Sequence, residues 1–592
     1  MAKRQFFRIT DLSGGLNPDS NPVLIADNEA TEISNIRLDR LGSLVSRRGY
    51  GRYLDEDAGS DILAIGRWLP KGQTSGGKIV AHLASGNLVT VETGYPSELS
   101  GLSTTVGGRF LPVQDELVYF NGTDRPVLYD GTDARQMGID APTTAPTVAL
   151  GGAGSLTGTV SYAYTYYDST TGVESDPSPI SAQITPSSQI VDVTGLPTTH
   201  ARADQKRIYR TDPGGGTHYL LTTIAIATSS YADDGSLTGN PLLPLRYDNG
   251  APGNFEHMAF VKGFMFGSIG DTLYWSRAYA PESWPTLDFT QVPFEGNDTI
   301  RALASFQDTL IIFGRRNIVL LAGSGGTPNT GLGWSLSRTD VDSGIVNGRA
   351  FAEVDGALVY LDYDGVKTIP GGQRVAPKLD RVFAAMSVAD IEQMTLLYVP
   401  EERALWISSP DGTYTVHLPN RAISHYDFGS TQWAPNGIDG LSYPLFTDAG
   451  SSRYVNTYGT VNDLGADISI LWRSKIFQLT NPELVKFFRR LGAFASIGSA
   501  GLVTITISDS GRSTTVPLEA TSDAVGGEWG SAVWGTDVWA AEGLQYFIGA
   551  LPAQTLFGHT MQVTITAEVP SQTEVVSPIT FEYREANRFL GQ

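Results

Sequence analysis

The stretch ALVYLDYDGVKTI, residues 357–369, decides the fold. Ala357–Leu361 and Val366–Ile369 are apolar, β-branched runs of strand length, and Asp364-Gly365 between them is the punctuation of a hairpin. The unit recurs. Leu117–Phe120 leads into Asn121-Gly122, and Val127–Tyr129 into Asp130-Gly131. Phe264–Phe266 precedes Thr272–Trp275; Thr309–Phe313 precedes Gly314 and Ile318–Leu321; Ala404–Ile407 precedes Asp411-Gly412 and Thr413–His417. One central residue per hairpin, Phe266, Ile311, Val359, Trp406 and Tyr454, gives separations of 45, 48, 47 and 48. Hairpins at a period of about 40–50 residues are the pattern of propeller blades. The expected fold class is all-β, with a β-propeller of six or seven blades.

Two earlier members, Val80 and Val118, stand 38 apart, but Val118 to Phe266 is 148. Removing about 100 residues between roughly Thr143 and Leu242 restores the period, so an inserted domain is expected there. Within it Thr159–Tyr167 alternates, Asp176-Pro177-Ser178-Pro179 reads as a rigid turn, and Gln189–Val193, Gln205–Thr211, Tyr219–Ile226 and Ser230-Tyr231 follow at sandwich spacing. With Tyr162, Tyr164 and Tyr166 in phase, the stretch resembles a fibronectin type III or immunoglobulin-like sandwich. After about Gly465 the period is lost. Ser469–Gln478, Phe487–Ala495, Leu502–Ser508, Leu544–Ala550, Gln562–Glu568 and Ile579–Tyr583 suffice for a second sandwich or barrel. The expected organisation is an N-terminal platform segment (1–55), first blades (56–142), insert (143–245), remaining blades (246–464) and a C-terminal platform (465–592).

Composition narrows the function. The 592 residues carry 41 Lys and Arg against 62 Asp and Glu, a net charge of −21 with a pI near 4.7, which argues against wrapping nucleic acid through phosphate neutralisation. Gly 66 and Pro 32 make the chain turn-rich. Charged residues are 17%, against about 25% usually, so large buried interfaces are expected. The absence of cysteine removes disulfides, thiol nucleophiles and cysteine metal sites. The opening MAKRQFFRIT runs into Thr10, Asp11 and Ser13 where an export signal needs apolar residues, and no run of about 18 apolar residues suggests membrane insertion.

Motifs for chemistry fail on inspection. Gly72–Lys78 matches a phosphate-binding GxxxxGK, but Ile79 replaces the Mg²⁺-ligating hydroxyl and Val80–Leu83 continues as a strand where a helix must open. A hairpin loop with a solvated lysine explains the same letters. His82, His200, His218, His257, His417, His425 and His559 are scattered without metal-ligand spacing. Asp362-Tyr363-Asp364-Gly365 opens like a calcium loop but lacks the terminal bidentate acid; a type I′ hairpin turn is expected. No Gly-x-Ser-x-Gly elbow is present. A carboxylate pair across a propeller cleft could cleave glycosides, yet spacing names no such pair among 62 acids. The reading names no catalytic residue, cofactor or metal, and expects no enzyme.

The most distinctive residues lie at the N-terminus: Asp11-Leu12-Ser13-Gly14-Gly15-Leu16-Asn17, Asp27–Glu32, Asn35-Ile36-Arg37-Leu38-Asp39, Gly42 and Arg47-Arg48-Gly49-Tyr50. With Tyr274-Trp275-Ser276, Pro281–Trp284, Ile300–Ser305 and Ala389-Asp390-Ile391, their order resembles the tail nozzle proteins of short-tailed bacteriophages (tail tubular protein B-like). The resemblance covers roughly 5–140 and 250–480; the inserted sandwich departs from it. It implies a structural virion protein, assembled in the host cytoplasm. Six copies would form a ring on the tail adaptor, beside tail fibres or spikes, retaining packaged double-stranded DNA and conducting it non-specifically to the host. An acidic bore suits such passage, because lysine and arginine contacts would hold the duplex. Arg4, Arg8, Arg37, Arg40, Arg47 and Arg48, with Lys3, are candidates for docking an acidic neighbour, or simply offset nearby acids. Trp529, Trp534 and Trp539, five apart in a Gly-rich loop, are candidate anchors in the core or a subunit contact. The alternative is a carbohydrate-binding or carbohydrate-active propeller that reads a host glycan through the insert and this loop.

Overall fold

The chain reverses where the repeat places its turn glycines. In the computed structural model Asp362 pairs with Gly365 and Ser409 with Gly412, closing two hairpins with φ of 137° and 155° at the glycines. The expected type I′ turn at 362–365 is not formed, since neither Tyr363 nor Asp364 takes a positive φ. Instead the Asp362 carboxylate accepts the Tyr363 N–H (2.8 Å) and the Lys367 ammonium (2.7 Å), holding the turn from its first residue. At Gly412 a Cβ would meet the Tyr426 carbonyl oxygen at 2.9 Å, so a glycine is required.

The structure describes residues 4–39, 42–73, 77–236, 239, 242–323, 333–339, 342–435, 443–447, 453–479, 483–495, 502–509, 512–519, 545–550, 557–569 and 574–585. The fold is all-β and propeller-like, built mostly of small antiparallel meanders. It divides into two compact units, Gly101–Gly344 and Met1–Ser100 with Ile345–Gln592.

In the unit Gly101–Gly344, three four-stranded meanders run over residues 109–136, 257–291 and 302–338. Period-two alternation sends their apolar side chains into the spaces between neighbouring sheets. Val118, Phe120, Leu128, Met258, Met265 and Trp284 fill one such core; Phe266, Leu273, Leu310, Ile312 and Val319 fill another. Between the first two meanders in sequence lie two three-stranded sheets. One joins Thr147–Thr157, Ser187–Thr194 and Tyr231–Asp233; the other joins Tyr162–Tyr167, Gln205–Thr211 and His218–Ala225. Tyr162, Tyr164, Val191, Val193, Ile208 and Leu221 from both sheets share one core. The first strand escapes the sequence reading because three glycines interrupt TVALGGAGSLT.

The rigid turn expected at Asp176–Pro179 is instead an extended strap. Ser175, Ser178 and Ser181 donate their N–H groups to the carbonyls of Tyr166, Tyr164 and Tyr162 at 2.8–2.9 Å. Their Oγ atoms accept the N–H groups of the same three tyrosines at 2.9–3.1 Å. Prolines cannot donate, so a chain that contacts an edge every third residue satisfies the strand where a normal ladder would not.

In the other unit, meanders occupy residues 62–99, 351–369 and 395–426. A fourth, over 433–460, takes its outer strand from Gly49–Arg52, with Tyr50 opposite Tyr458. The sequence reading assigned all of 1–55 to the platform; this strand belongs to a meander. Both chain regions then build two larger sheets. Arg4–Ile9, Ile36–Arg37 and Leu44–Ser46 join Lys486–Ala495, Gln545–Ala550, Phe557–Gly558 and Glu574–Glu585. Gly15–Leu16 and Glu29–Ser34 join Ile468–Ser474, Leu502–Asp509, Arg512–Glu519 and Gln562–Val569. Trp472, Ile505, Ile507, Val563 and Ile565 are buried there.

Candidate functional site

The candidate basic residues have different fates. Arg47 is 0% exposed, its guanidinium held by Asp463 (2.6 and 2.8 Å), Asp427 (2.8 Å) and Asn35 Oδ1 (2.7 Å), over the Phe428 ring at 4.8 Å. Although burial opposes its charge, the two aspartates hold it protonated. Arg37 is spent in the same way, on Asp39 and on buried Glu402, 3.7 Å away. Glu402 accepts the Tyr458 hydroxyl at 2.8 Å, and burial pushes its pKa up against the pull of Arg37. Arg48 lies over Tyr443 at 4.8 Å. These guanidiniums bond within the chain. Arg4, which pairs with Glu582 at 3.4 Å, and Arg8 are exposed on the Arg4–Ile9 strand. Arg40, Trp529, Trp534 and Trp539 lie outside the described residues.

Two acids of the N-terminal motif are also bonded within the chain. Asp11 accepts from Ser13 N–H (2.9 Å), Ser13 Oγ (2.6 Å), Gly42 N–H (3.2 Å) and Asn28 (2.8 Å). Burial would raise its pKa, but these bonds outweigh burial and hold it below the ordinary carboxylate value. Glu29 is held down likewise, against burial, by Lys378 and Asn17, each at 2.7 Å. The partners Asp463, Glu402 and Lys378 are more than 300 residues from these motifs, so no sequence pattern named them.

A second place was missed entirely by sequence reasoning. Within Gly101–Gly344 the insert and the meanders border a polar cleft of about 800 Å³. Glu282, itself buried, accepts both Arg202 and Arg135 (3.4 Å) and the Gly138 N–H (2.9 Å). Arg202 also reaches Asp168 (3.1 Å) and the Gln136 carbonyl (3.0 Å), which fastens insert to meander. Elsewhere on the cleft wall, Arg246 and Arg277 share one carboxylate, Asp248, at 2.9 and 3.3 Å. Arg277 also donates to Asn249 Oδ1 (2.7 Å). Tyr279, 75% exposed, lines the cleft with φ of 55°, its N–H donating to the Gly263 carbonyl at 2.7 Å.

Among the described residues no group of three or more His, Asp or Glu is placed to hold a metal ion, and no helix is long and apolar enough to cross a membrane. Of the histidines, His82 is wholly buried, and burial with Arg109 nearby pushes His257 down to about 3.

No protein-family model matches the chain, and no curated protein matches it in sequence. Among solved structures it is similar to the computationally designed Ika8 protein (11% identity, TM-score 0.33, covering 68% of this chain and 98% of that one). It is likewise similar to Saccharomyces cerevisiae Sqt1 (9%, 0.33, 70% and 100%) and to YCF48 from Cyanidioschyzon merolae (10%, 0.23, 69% and 98%). Likenesses this distant say nothing of what the chain binds or does.

Proposed function

We propose that the protein is a structural subunit of a bacteriophage tail, six copies of which assemble into a ring-shaped nozzle that retains packaged DNA and conducts it during ejection. The observation that carries this reading is the N-terminal motif series. Its residues Asp11, Asn35, Arg37 and Arg47 are spent on bonds within the subunit, to partners at 402, 427 and 463 among others. Such residues serve architecture, which is what a conduit subunit requires of them. The net charge of −21 supports the same reading, because an acidic wall repels a duplex at short range where a basic one would retain it. The tail adaptor and the fibres or spikes are the partners it calls for.

Negative-stain imaging and sedimentation of the full chain, alone and with the tail adaptor, test this. The expected particle is a ring with an axial hole and six times the 63.5 kDa subunit mass. A protein that stays monomeric at micromolar concentration beside its tail partners overturns the assignment.

A further inference from the structure

The seven-stranded sheet that begins with Arg4–Ile9 has one face whose charges its own fold does not use. Residues directly opposite each other on antiparallel strands share a face. The register sets Arg4 opposite Arg584, Phe6 opposite Glu582, Arg8 opposite Thr580, and Glu582 in turn opposite Arg490. Four arginines thus gather round one carboxylate, Glu582, which is buried and 3.4 Å from Arg4. Among the described residues Arg8, Arg490 and Arg584 have no acid partner. The Nε of Arg584 is shielded from solvent without a hydrogen-bond partner. Like charges placed directly opposite, as Arg4 and Arg584 are, cost stability.

Guarding a sheet edge accounts for the arginines of Arg4–Ile9, which pairs on one side only. It does not account for Arg490 and Arg584, whose strands have neighbours on both sides. Phe6 stands 68% exposed in their midst, and an aromatic ringed by arginines is the composition of an interface centre. The same chain carries a counterpart. Asp55, Glu56, Asp57 and Asp61 are all exposed, and Arg453 lies 3.7 and 3.6 Å from Asp57 and Asp61. The nearby Arg52 is offset by Glu92, in the turn whose Gly94 N–H donates to Glu56 at 2.9 Å. The imbalance is the reverse of that on the sheet face, and among the described residues no ion pair joins the two within one chain.

We propose that the face of Arg4, Arg8, Arg490 and Arg584 docks on the acidic Asp55–Asp61 segment of a second copy of this chain, with Phe6 at the centre of the contact. The choice of occupant rests on the nozzle reading, which calls for contacts between identical copies. Two different surfaces meet, so the contact is heterologous, the kind that repeats from copy to copy and can close into a ring.

Sedimentation of the full chain and of charge-reversed copies tests this. Arg4→Glu with Arg8→Glu makes a copy acidic on both surfaces; Asp55→Lys with Asp61→Lys makes one basic on both. All four side chains are exposed, and circular dichroism checks the fold. Each variant alone is expected to need about tenfold more protein, or beyond, to assemble, because like charges then meet. An equimolar mixture is expected to regain wild-type assembly, the two copies alternating. Phe6→Ala should weaken assembly as well, and so should about 0.5 M salt for the wild type. Variants that assemble as the wild type does, or a mixture that does not recover, overturn the proposal and leave the nozzle reading standing. Loss of adaptor or duplex binding in Arg4→Glu with Arg8→Glu, while assembly stays intact, gives the face to that partner and overturns it equally. Assembly through this contact into a filament or a ring of another size upholds the contact and overturns the six-fold nozzle; a wild type that stays monomeric overturns both.

Discussion

Arg47 shows how a single side chain can be essential without facing solvent. Its guanidinium neutralises Asp463 and Asp427 inside the fold, so Arg47→Met removes a buried charge and leaves two carboxylates uncompensated. Changes of this kind cost about 3–5 kcal/mol, and the partial exposure of Asp427 places the expected loss at the lower end. The urea midpoint of the variant measures it; a shift no larger than that of a surface arginine such as Arg8→Met would contradict the role. Asp11 and Glu29 make a pH-dependent counterpart. Their folded pKa values lie below the ordinary 3.8 and 4.5. Their stabilisation is therefore fully present above those values and is lost as pH falls through the lower, folded ones. Amide protection factors in the segment around Asp11 and Asn28, referenced to the intrinsic exchange rate at each pH, should fall below about pH 4 in the wild type, and Asp11→Asn should flatten that response.

At the scale of elements, the strap Ser175–Ser181 is tied by a periodic motif that no ordinary strand rule anticipates. Ser178→Ala leaves the Tyr164 N–H, buried in the insert, without its acceptor. A cost of about 1–3 kcal/mol is expected from that single oxygen, whereas Ser178→Thr retains the hydroxyl and should recover most of it; thermal unfolding of both variants makes the comparison. The blade hairpins were legible because apolar runs and Asp-Gly or Asn-Gly pairs are local signals, and Thr309–Phe313 and Gln205–Thr211 fall where their patterns put them. The strap was read as a turn because proline and serine favour turns in isolation, while here the long edge of Tyr162–Tyr167 supplies a partner. The Gly49–Arg52 strand was misassigned for a related reason: its neighbour lies more than 400 residues away. The cleft, made by the insert against the meanders over 109–136 and 257–291, depends on approaches between separate elements and left no trace in local pattern.

For the whole molecule the decisive quantity is charge. Neutralising Z phosphates makes the logarithm of affinity fall with log salt at a slope near −0.9Z for duplex DNA. A protein that grips DNA therefore shows strong binding at low salt that collapses as salt rises. The chain carries 62 acids against 41 bases, and Arg37, Arg47, Arg135, Arg202 and Arg210 are already paired with acids inside the fold. These arginines are unavailable to phosphates, and the acids outnumber the bases by 21. A conduit subunit should accordingly show no duplex binding at micromolar concentration, even near 50 mM salt where electrostatic attraction is strongest, and no salt slope to measure. Fluorescence anisotropy with a labelled duplex tests this on the full chain and on the proposed ring. Tight binding with a steep slope would mean that a cationic surface faces the DNA, and the nozzle would then act as a clamp whose release needs a trigger. Absence of binding in a ring with an open axis leaves retention to steric closure, which fits a tube that must release a genome quickly.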